Sequence, residues 1–225
     1  MSDPSLPGRE ARDVEPRVLS VNVGVVREIL WRNRVVRTGI WKYPVGDRAI
    51  RLRGVNLVGD DQADRTVHGG PDKAVYAYAV EDYRYWADHE GIATSPGLFG
   101  ENLTVRGLDL RTALIGEWWG IGTALLQVAQ PRLPCFKLGV RLADPRFPKR
   151  FLAVGRFGAY LRILEEGEIR AGDAVRVLRH ADCRVSLQAM AETLIHPTGS
   201  VSVQGADERG GGDSTSESGQ YETPH

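Results

Sequence analysis

Cysteine is nearly missing from this sequence. Cys135 and Cys183 are the two in 225 residues, too few for a disulfide framework, and neither belongs to a CxxC pair or to a cluster that would hold an iron–sulfur centre. An excess of one charge sign is missing as well. Lys plus Arg and Asp plus Glu number 29 each, so no overall field draws the chain to nucleic acid or to a membrane surface, and any such attraction must be local. No apolar run approaches the roughly 20 residues that span a bilayer, and the opening MSDPSLPGREARDVEP has acids and prolines where a secretion signal needs an apolar stretch. These absences predict a cytoplasmic protein with reduced thiols and no membrane or nucleic-acid partner.

Motifs that would fix a reaction are also absent. There is no HExxH, CxxC or HxH spacing for zinc, no GxSxG elbow for a serine hydrolase, and no P-loop or GxGxxG fingerprint for a nucleotide or flavin. Any electrons this protein uses must come from elsewhere. Repeats at a fixed period are lacking too.

What is present is a set of short runs separated by glycine: LSVNVGVV, RAIRLRG, GVNLVGD, KAVYAYAV, ENLTVRG, GTALLQVAQ, AYLRILEEG and DAVRVLRH. Their length and alternation predict strands, hence a mainly β (α+β) protein built as a single barrel. Leu19, Val21, Val23 and Val25 alternate with Ser20, Asn22 and Gly24 as in a half-buried strand, and Ile50 and Leu52 alternate with Arg51 and Arg53 similarly. Trp118 and Trp119 read as core and rim aromatics. Helices are few and peripheral: VEDYRYWADHE ending at Gly91, a helix starting after Pro134, a turn around Pro148 to Ala153, and SLQAMAETLI with Ser186 as N-cap. The predicted layout is a disordered extension over 1–16, one β-barrel domain over 17–180, a short helix over 181–196 and a Gly/Ser/Thr-rich disordered tail over 197–225.

The segment QPRLPCFKLGVRLADPRF carries most of the chemistry. Pro131 and Pro134 rigidify the approach to a helix whose first turn should contain Cys135, close to Arg132 and Lys137. Unpaired N–H groups and two cations are surroundings that stabilise a thiolate, as a nucleophile or a soft-metal ligand requires. Cys183, in HADCRV, has no such setting and reads as structural. A second cluster, DRTVHGGPDKAVYAY, places Arg65, His68 and Lys73 around a Gly69–Gly70–Pro71 turn mounted on a strand. Such a turn can hold an anion through its N–H groups, or can be an ordinary loop. A third, GLFGENLTV, sets Glu101 and Asn102 at a strand entrance, as residues of a barrel mouth or as turn formers.

With DRTVHGGPDKAVYAY, GLFGENLTV, IGEWWGIGTALLQVAQPRLPCFKL, GRFGAYLRIL and IRAGDAVRV in this order, the chain resembles the MOSC domain family, specifically its bacterial YiiM-like branch, from about Val18 to about Leu178. The resemblance implies a β-barrel that binds the molybdenum cofactor, with Cys135 as the molybdenum ligand. It implies that Arg132, Lys137, Asn102, His68 and Lys73 line the cofactor pocket, with Arg65 and Arg156 as weaker candidates. It implies an enzyme that reduces N-hydroxylated small molecules such as hydroxylaminopurines and amidoximes, taking electrons from a separate flavin or iron–sulfur partner, with no resident iron–sulfur cluster, flavin or zinc. YiiM-like proteins usually continue into a three-helix C-terminal module, of which only SLQAMAETLI resembles the beginning. Two other uses of the same cysteine stay open at this point: a persulfide-carrying nucleophile in sulfur transfer, and a cofactor carrier without catalysis.

Overall fold

The computed structural model describes residues 15–63, 69–179 and 182–197. The predicted tails therefore lie almost wholly outside the described residues, as do Arg65 and His68. In chain order the strands are β1 (Arg17–Val23), β2 (Arg27–Trp31), β3 (Arg34–Thr38), β4 (Tyr43–Pro44), β5 (Ile50–Arg53), β6 (Asn56–Leu57), β7 (Val75–Ala79), β8 (Leu103–Arg106), β9 (Trp118–Ile121), β10 (Ala124–Pro131), β11 (Ala159–Glu165), β12 (Gly167–Ile169) and β13 (Val175–Arg179). The helices are α1 (Val80–Glu90), α2 (Phe136–Arg141), α3 (Phe147–Val154) and α4 (Leu187–Ile195), with a 3-10 turn at Pro71–Lys73.

Eight strands form one sheet in the order β13-β9-β10-β11-β7-β8-β1-β4, antiparallel except where β7 and β8 run parallel. A three-stranded sheet β12-β5-β6 and the β2–β3 hairpin complete the strands. The mainly β, α+β architecture is as the periodicity predicts, but the barrel is not closed. Among the described residues no ladder joins the two ends of the main sheet. Contact between β1 and the start of β13 is confined to one bridge, Arg17 with Ala174, and to hydrogen bonds such as Val18 N–H to Asp173 O at 2.8 Å and Val175 N–H to Pro16 O at 2.8 Å. The reason is geometric: the outer edge of β1 meets residues 172–175 at its N-terminal end and β4 at its C-terminal end, so no continuous edge remains for closure.

β7 is the centre of the fold because both its faces are buried. Val75, Ala77 and Ala79 point into an aliphatic core with Val18, Val21, Leu52, Leu103, Leu126, Val128 and Leu161. Tyr76 and Tyr78 point the other way, into an aromatic cluster with Tyr83, Trp86, Phe99, Phe147 and Phe151 that attaches α1 and α3. There Trp86 and Phe151 stack at 5.4 Å with 3° between their planes, and contacts of this kind each add about 0.5–1.5 kcal/mol beyond burial. α1 stops as predicted at Gly91, which takes the left-handed conformation at φ 63°.

Three expectations are corrected by the structure. In β1 the alternation does not sort polar from apolar: Val21 enters the aliphatic core, but Ser20 and Asn22 are buried as well, Leu19 and Val23 are half-buried, and Val25 is exposed. A register shift between Val18 and Ser20 against β8 breaks the period of two, so that Val18 and Val21, three residues apart, enter the same core. Cys135 caps α2 instead of lying in its first turn, with φ −129° and ψ 174°. Cys183 is exposed and packs no core. The β2–β3 hairpin had no glycine signal to announce it; its turn uses Arg32 and Asn33 at φ 48° and 60°, the two positive angles a type I′ turn needs.

Candidate active site

Beside the aromatic cluster lies a cleft of about 100 Å³. Its walls come from four places: Thr38, Gly39 and Ile40 after β3; Asp60 to Ala63; Phe99, Gly100 and Asn102 before β8; and Arg132, Cys135 and Lys137 at the start of α2. Lys42, Lys73, Tyr76 and Tyr160 complete the lining. The structure thus brings five sequence-nominated residues, Lys73, Asn102, Arg132, Cys135 and Lys137, to one cavity. Arg156 goes elsewhere: it pairs with Asp82 and covers the Tyr85 ring at 4.5 Å. Glu101 is buried behind the cleft and is not part of its lining.

Cys135 is half-buried and unbonded to the other cysteine. Pro131 ends β10, and the short link to Cys135 carries Arg132 inward, where it is 6% exposed. The Arg132 guanidinium lies over the Tyr76 ring at 5.5 Å, and its Nη1 is buried without a hydrogen-bond partner. Burial of such a donor costs about 1–3 kcal/mol unless an acceptor arrives. Lys137 is also buried, and among the described residues it forms no ion pair. Lys73 is held on the 3-10 turn, which an Asp72–Arg162 ion pair of 2.6 Å ties to β11. The Gly70 N–H expected to face an anion is instead donated to the Gln62 side chain at 3.2 Å.

Asn102 has its amide fully engaged. Its Oδ1 accepts from Tyr76 N–H at 3.1 Å, while its Nδ2 donates to the Asn22 carbonyl at 3.3 Å and to Asp60 Oδ2 at 3.0 Å. It joins β1, β7 and β8 and fixes Asp60. Asp60 also accepts Gly24 N–H at 2.9 Å and both of its oxygens receive the Lys42 ammonium. Burial lowers Lys42 from its usual 10.5, with the Asp60 charge opposing. Two glycines let the Lys42 segment pass so closely: a Cβ at Gly24 would lie 2.1 Å from the Trp41 carbonyl oxygen, and one at Gly97 2.5 Å from the Lys42 carbonyl oxygen.

Behind this pair Glu101 is fully buried, accepting from Gly97 N–H at 2.6 Å, Phe99 N–H at 3.2 Å, the Tyr83 hydroxyl at 2.8 Å and the Thr104 hydroxyl at 2.9 Å. Burial raises its carboxyl above the usual 4.5, with those hydrogen bonds opposing. It organises the loop that forms one wall. Lys42, Asp60 and the two tyrosines were not nominated from sequence, and the signal that could have found them is thin: a lysine between aromatics in WKYP and an acidic pair in GDDQ.

The cleft offers one thiol, four cationic side chains and one buried carboxylate. Among the described residues no group of three or more His, Cys, Asp or Glu side chains could by itself hold a metal ion. A metal bound here would need ligands beyond Cys135 supplied with it. No helix of the described residues is long and apolar enough to cross a membrane.

Comparison with known proteins adds four findings. The model of the MOSC domain matches residues 64–176. The chain is 37% identical to the uncharacterized protein YflK of Bacillus subtilis over 76% of this chain and 77% of that protein. It is 34% identical to a protein named reductase from Gibberella moniliformis over 59% of this chain, but it spans only 24% of that longer protein. Among solved structures, YiiM from Geobacillus stearothermophilus superposes with a TM-score of 0.66 at 32% identity, covering 81% of this chain and 85% of the other.

Proposed function

This chain belongs to the MOSC domain family, in its YiiM-like branch, and on that premise we propose that it is an oxidoreductase that holds the molybdenum cofactor through Cys135 and reduces N-hydroxylated compounds, hydroxylaminopurines and amidoximes among them. The reductase named among its relatives supports the reaction class. The observation that carries the reading is the company Cys135 keeps: one cleft holds its thiol, the unpartnered Nη1 of Arg132 and the buried Lys137.

These residues fit the cofactor. A thiolate is a soft ligand suited to molybdenum, and the buried Arg132 Nη1 and Lys137 are what the anionic phosphate of a pterin needs for neutralisation. In this reading Cys135 Sγ binds the metal, and Arg132, Lys137 and Lys73 bind the anionic groups. His68 and Arg65 stay proposed members of the same pocket. When bound, the cofactor supplies a two-electron redox centre able to take the oxygen of an N–O bond.

Reduction of R–NHOH to R–NH2 consumes two electrons and two protons and releases one water. The electrons come from a separate flavin or iron–sulfur protein. Lys42 Nζ is the cleft's own proton source, held on Asp60, which Asn102 and the Gly24 N–H keep in place. Its lowered proton affinity favours release to a departing oxygen. Tyr76 is spoken for, since its hydroxyl donates to the Phe157 carbonyl at 2.9 Å; its ring positions Arg132.

The test is elemental analysis of the wild type and Cys135→Ser, both made in cells that synthesise the cofactor. About one molybdenum per chain is expected in the wild type and none in a folded variant, together with turnover of a hydroxylaminopurine by the wild type using reduced methyl viologen. Molybdenum retained by Cys135→Ser overturns the ligand assignment. A metal-free wild type with cyanide-labile sulfur on Cys135 replaces the reading with sulfur transfer.

A further inference from the structure

Among the described residues the β2–β3 hairpin pairs with no other strand, and its register gives it two unlike faces. Ile29 lies opposite Val36 and Trp31 opposite Arg34; Ile29, Val36 and Trp31 are half-buried, and Trp31 stacks on Phe136 with ring centres 4.0 Å apart. This is the inner face. Leu30 lies opposite Val35 on the other side, 73% and 67% exposed, with Glu28 opposite Arg37 beside them. The outer face is therefore an aliphatic pair left bare.

The charge of the hairpin as a whole is one-sided, with Arg37 on the outer face and Arg27 and Arg34 at the ends of the inner one. Arg27, Arg32, Arg34 and Arg37 stand against the single carboxylate of Glu28, in a chain whose total charge is zero. Among the described residues none of these four arginines forms an ion pair. Arg27 and Arg141, the latter in α2, both lie over the Tyr43 ring, at 5.6 and 6.0 Å, which extends the cationic rim toward the cleft. Crowded unpaired cations and a bare aliphatic pair both cost the free protein, and both costs are relieved by a partner bringing carboxylates around an apolar spot.

A bare aliphatic pair on an arginine-rich hairpin has the make-up of a protein contact. Nucleic acid fits less well, because Trp31 is already covered by Phe136 and by Arg32 at 4.7 Å and cannot stack on bases. The position is also telling. β3 runs directly into Thr38, Gly39 and Ile40 of the cleft wall, and Phe136 adjoins Cys135.

We propose that the exposed β2–β3 hairpin, with Leu30, Val35 and Arg37 on its outer face and Arg27, Arg32 and Arg34 exposed at its two ends, docks an acidic electron-donor protein at the rim of the Cys135 cleft. The proposal rests on the reductase reading above and supplies its missing contact. The donor is oxidised by two electrons per N–O bond reduced, and the docked donor is separated from Cys135 by the Trp31–Phe136 stack.

Reduced flavodoxin, a small acidic flavoprotein, with its NADPH-dependent reductase, is the probe. In Arg34→Glu/Arg37→Glu the KM for flavodoxin should rise about tenfold or more, with a smaller rise in Arg34→Gln/Arg37→Gln and in Leu30→Ser, and the wild-type rate should fall as salt screens the contact. Turnover with reduced methyl viologen should match the wild type in every variant. An unchanged KM for flavodoxin with viologen turnover intact overturns the proposal, as does a wild type that turns over with viologen and ignores flavodoxin. If neither donor supports turnover, the reductase reading has failed, and a direct binding titration with flavodoxin decides the docking surface: binding lost in the Glu variant supports it, and binding absent or unchanged overturns it. Wild-type binding to anionic vesicles or RNA in place of flavodoxin also overturns it.

Discussion

Lys42 and Asp60 are paired inside the cleft with side chains only 9% and 2% exposed, 18 residues apart in sequence. Removing one partner strands the other charge in a buried setting. Lys42→Met is therefore expected to cost about 3–5 kcal/mol of stability, while Lys42→Met/Asp60→Asn recovers much of it. Chemical denaturation checks both. The pH dependence has a definite sign: burial lowers Lys42 below 10.5, so the unfolded chain binds its proton more tightly, and the wild type should gain on the double variant as pH rises toward about 10.

Arg132 predicts a separation of stability from binding. Its Nη1 has no partner in the protein, so Arg132→Met removes an unmatched buried donor along with the hydrogen bond to Tyr160, and the two opposing effects should leave the metal-free protein within about 1 kcal/mol of wild type. Molybdenum retention should nevertheless fall. Thermal melting of the metal-free forms and elemental analysis after purification measure the two halves. A large destabilisation of the metal-free variant would mean that the contacts with Tyr76 and Tyr160, not an anion, are the reason for the arginine.

Tyr83→Phe removes a hydroxyl that donates to Glu101 and accepts from Phe99 N–H at 3.2 Å, and should cost about 1–3 kcal/mol. Because Glu101 is raised above 4.5 by burial, the stability it lends is present below its unfolded value and is lost as pH rises through its folded value. The hydroxyl serves the ionised carboxylate, so the penalty of the variant should be larger near neutrality than at about pH 4. Denaturation midpoints at the two pH values decide it.

Trp31→Ala should release the hairpin without disturbing the core. Trp31 touches Phe136, while the residues of the two hydrophobic clusters lie elsewhere. Faster amide exchange confined to residues 27–38, with an unchanged global melting temperature, is the expected result.

Much of this architecture is determined by the sequence alone. Alternation with period two and glycine punctuation mark β5, β7, β8, β10, β11 and β13, and Gly91 and Ser186 mark helix ends, because these signals act within a few residues. The same locality made Cys135, Arg132 and Lys137 legible as one group: they lie within six residues, with Pro131 before them and Pro134 among them.

Tertiary structure alone decided the rest, and in each case the cause is a contact between distant residues. A register shift of β1 against β8 brings Val18 and Val21 into one core and leaves Ser20 and Asn22 buried as well, which no reading of β1 by itself contains. The hairpin formed around Arg32 and Asn33 because cross-strand pairing and the Trp31–Phe136 stack outweigh the strain of a turn without glycine. Lys42 and Asp60 sit in stretches with no motif, and they meet because Gly24 allows the close passage of Trp41 and Asn102 anchors the carboxylate from β8. Local sequence sets which elements form; the register and packing between them set which charges face each other, and that is where the cleft's chemistry was made.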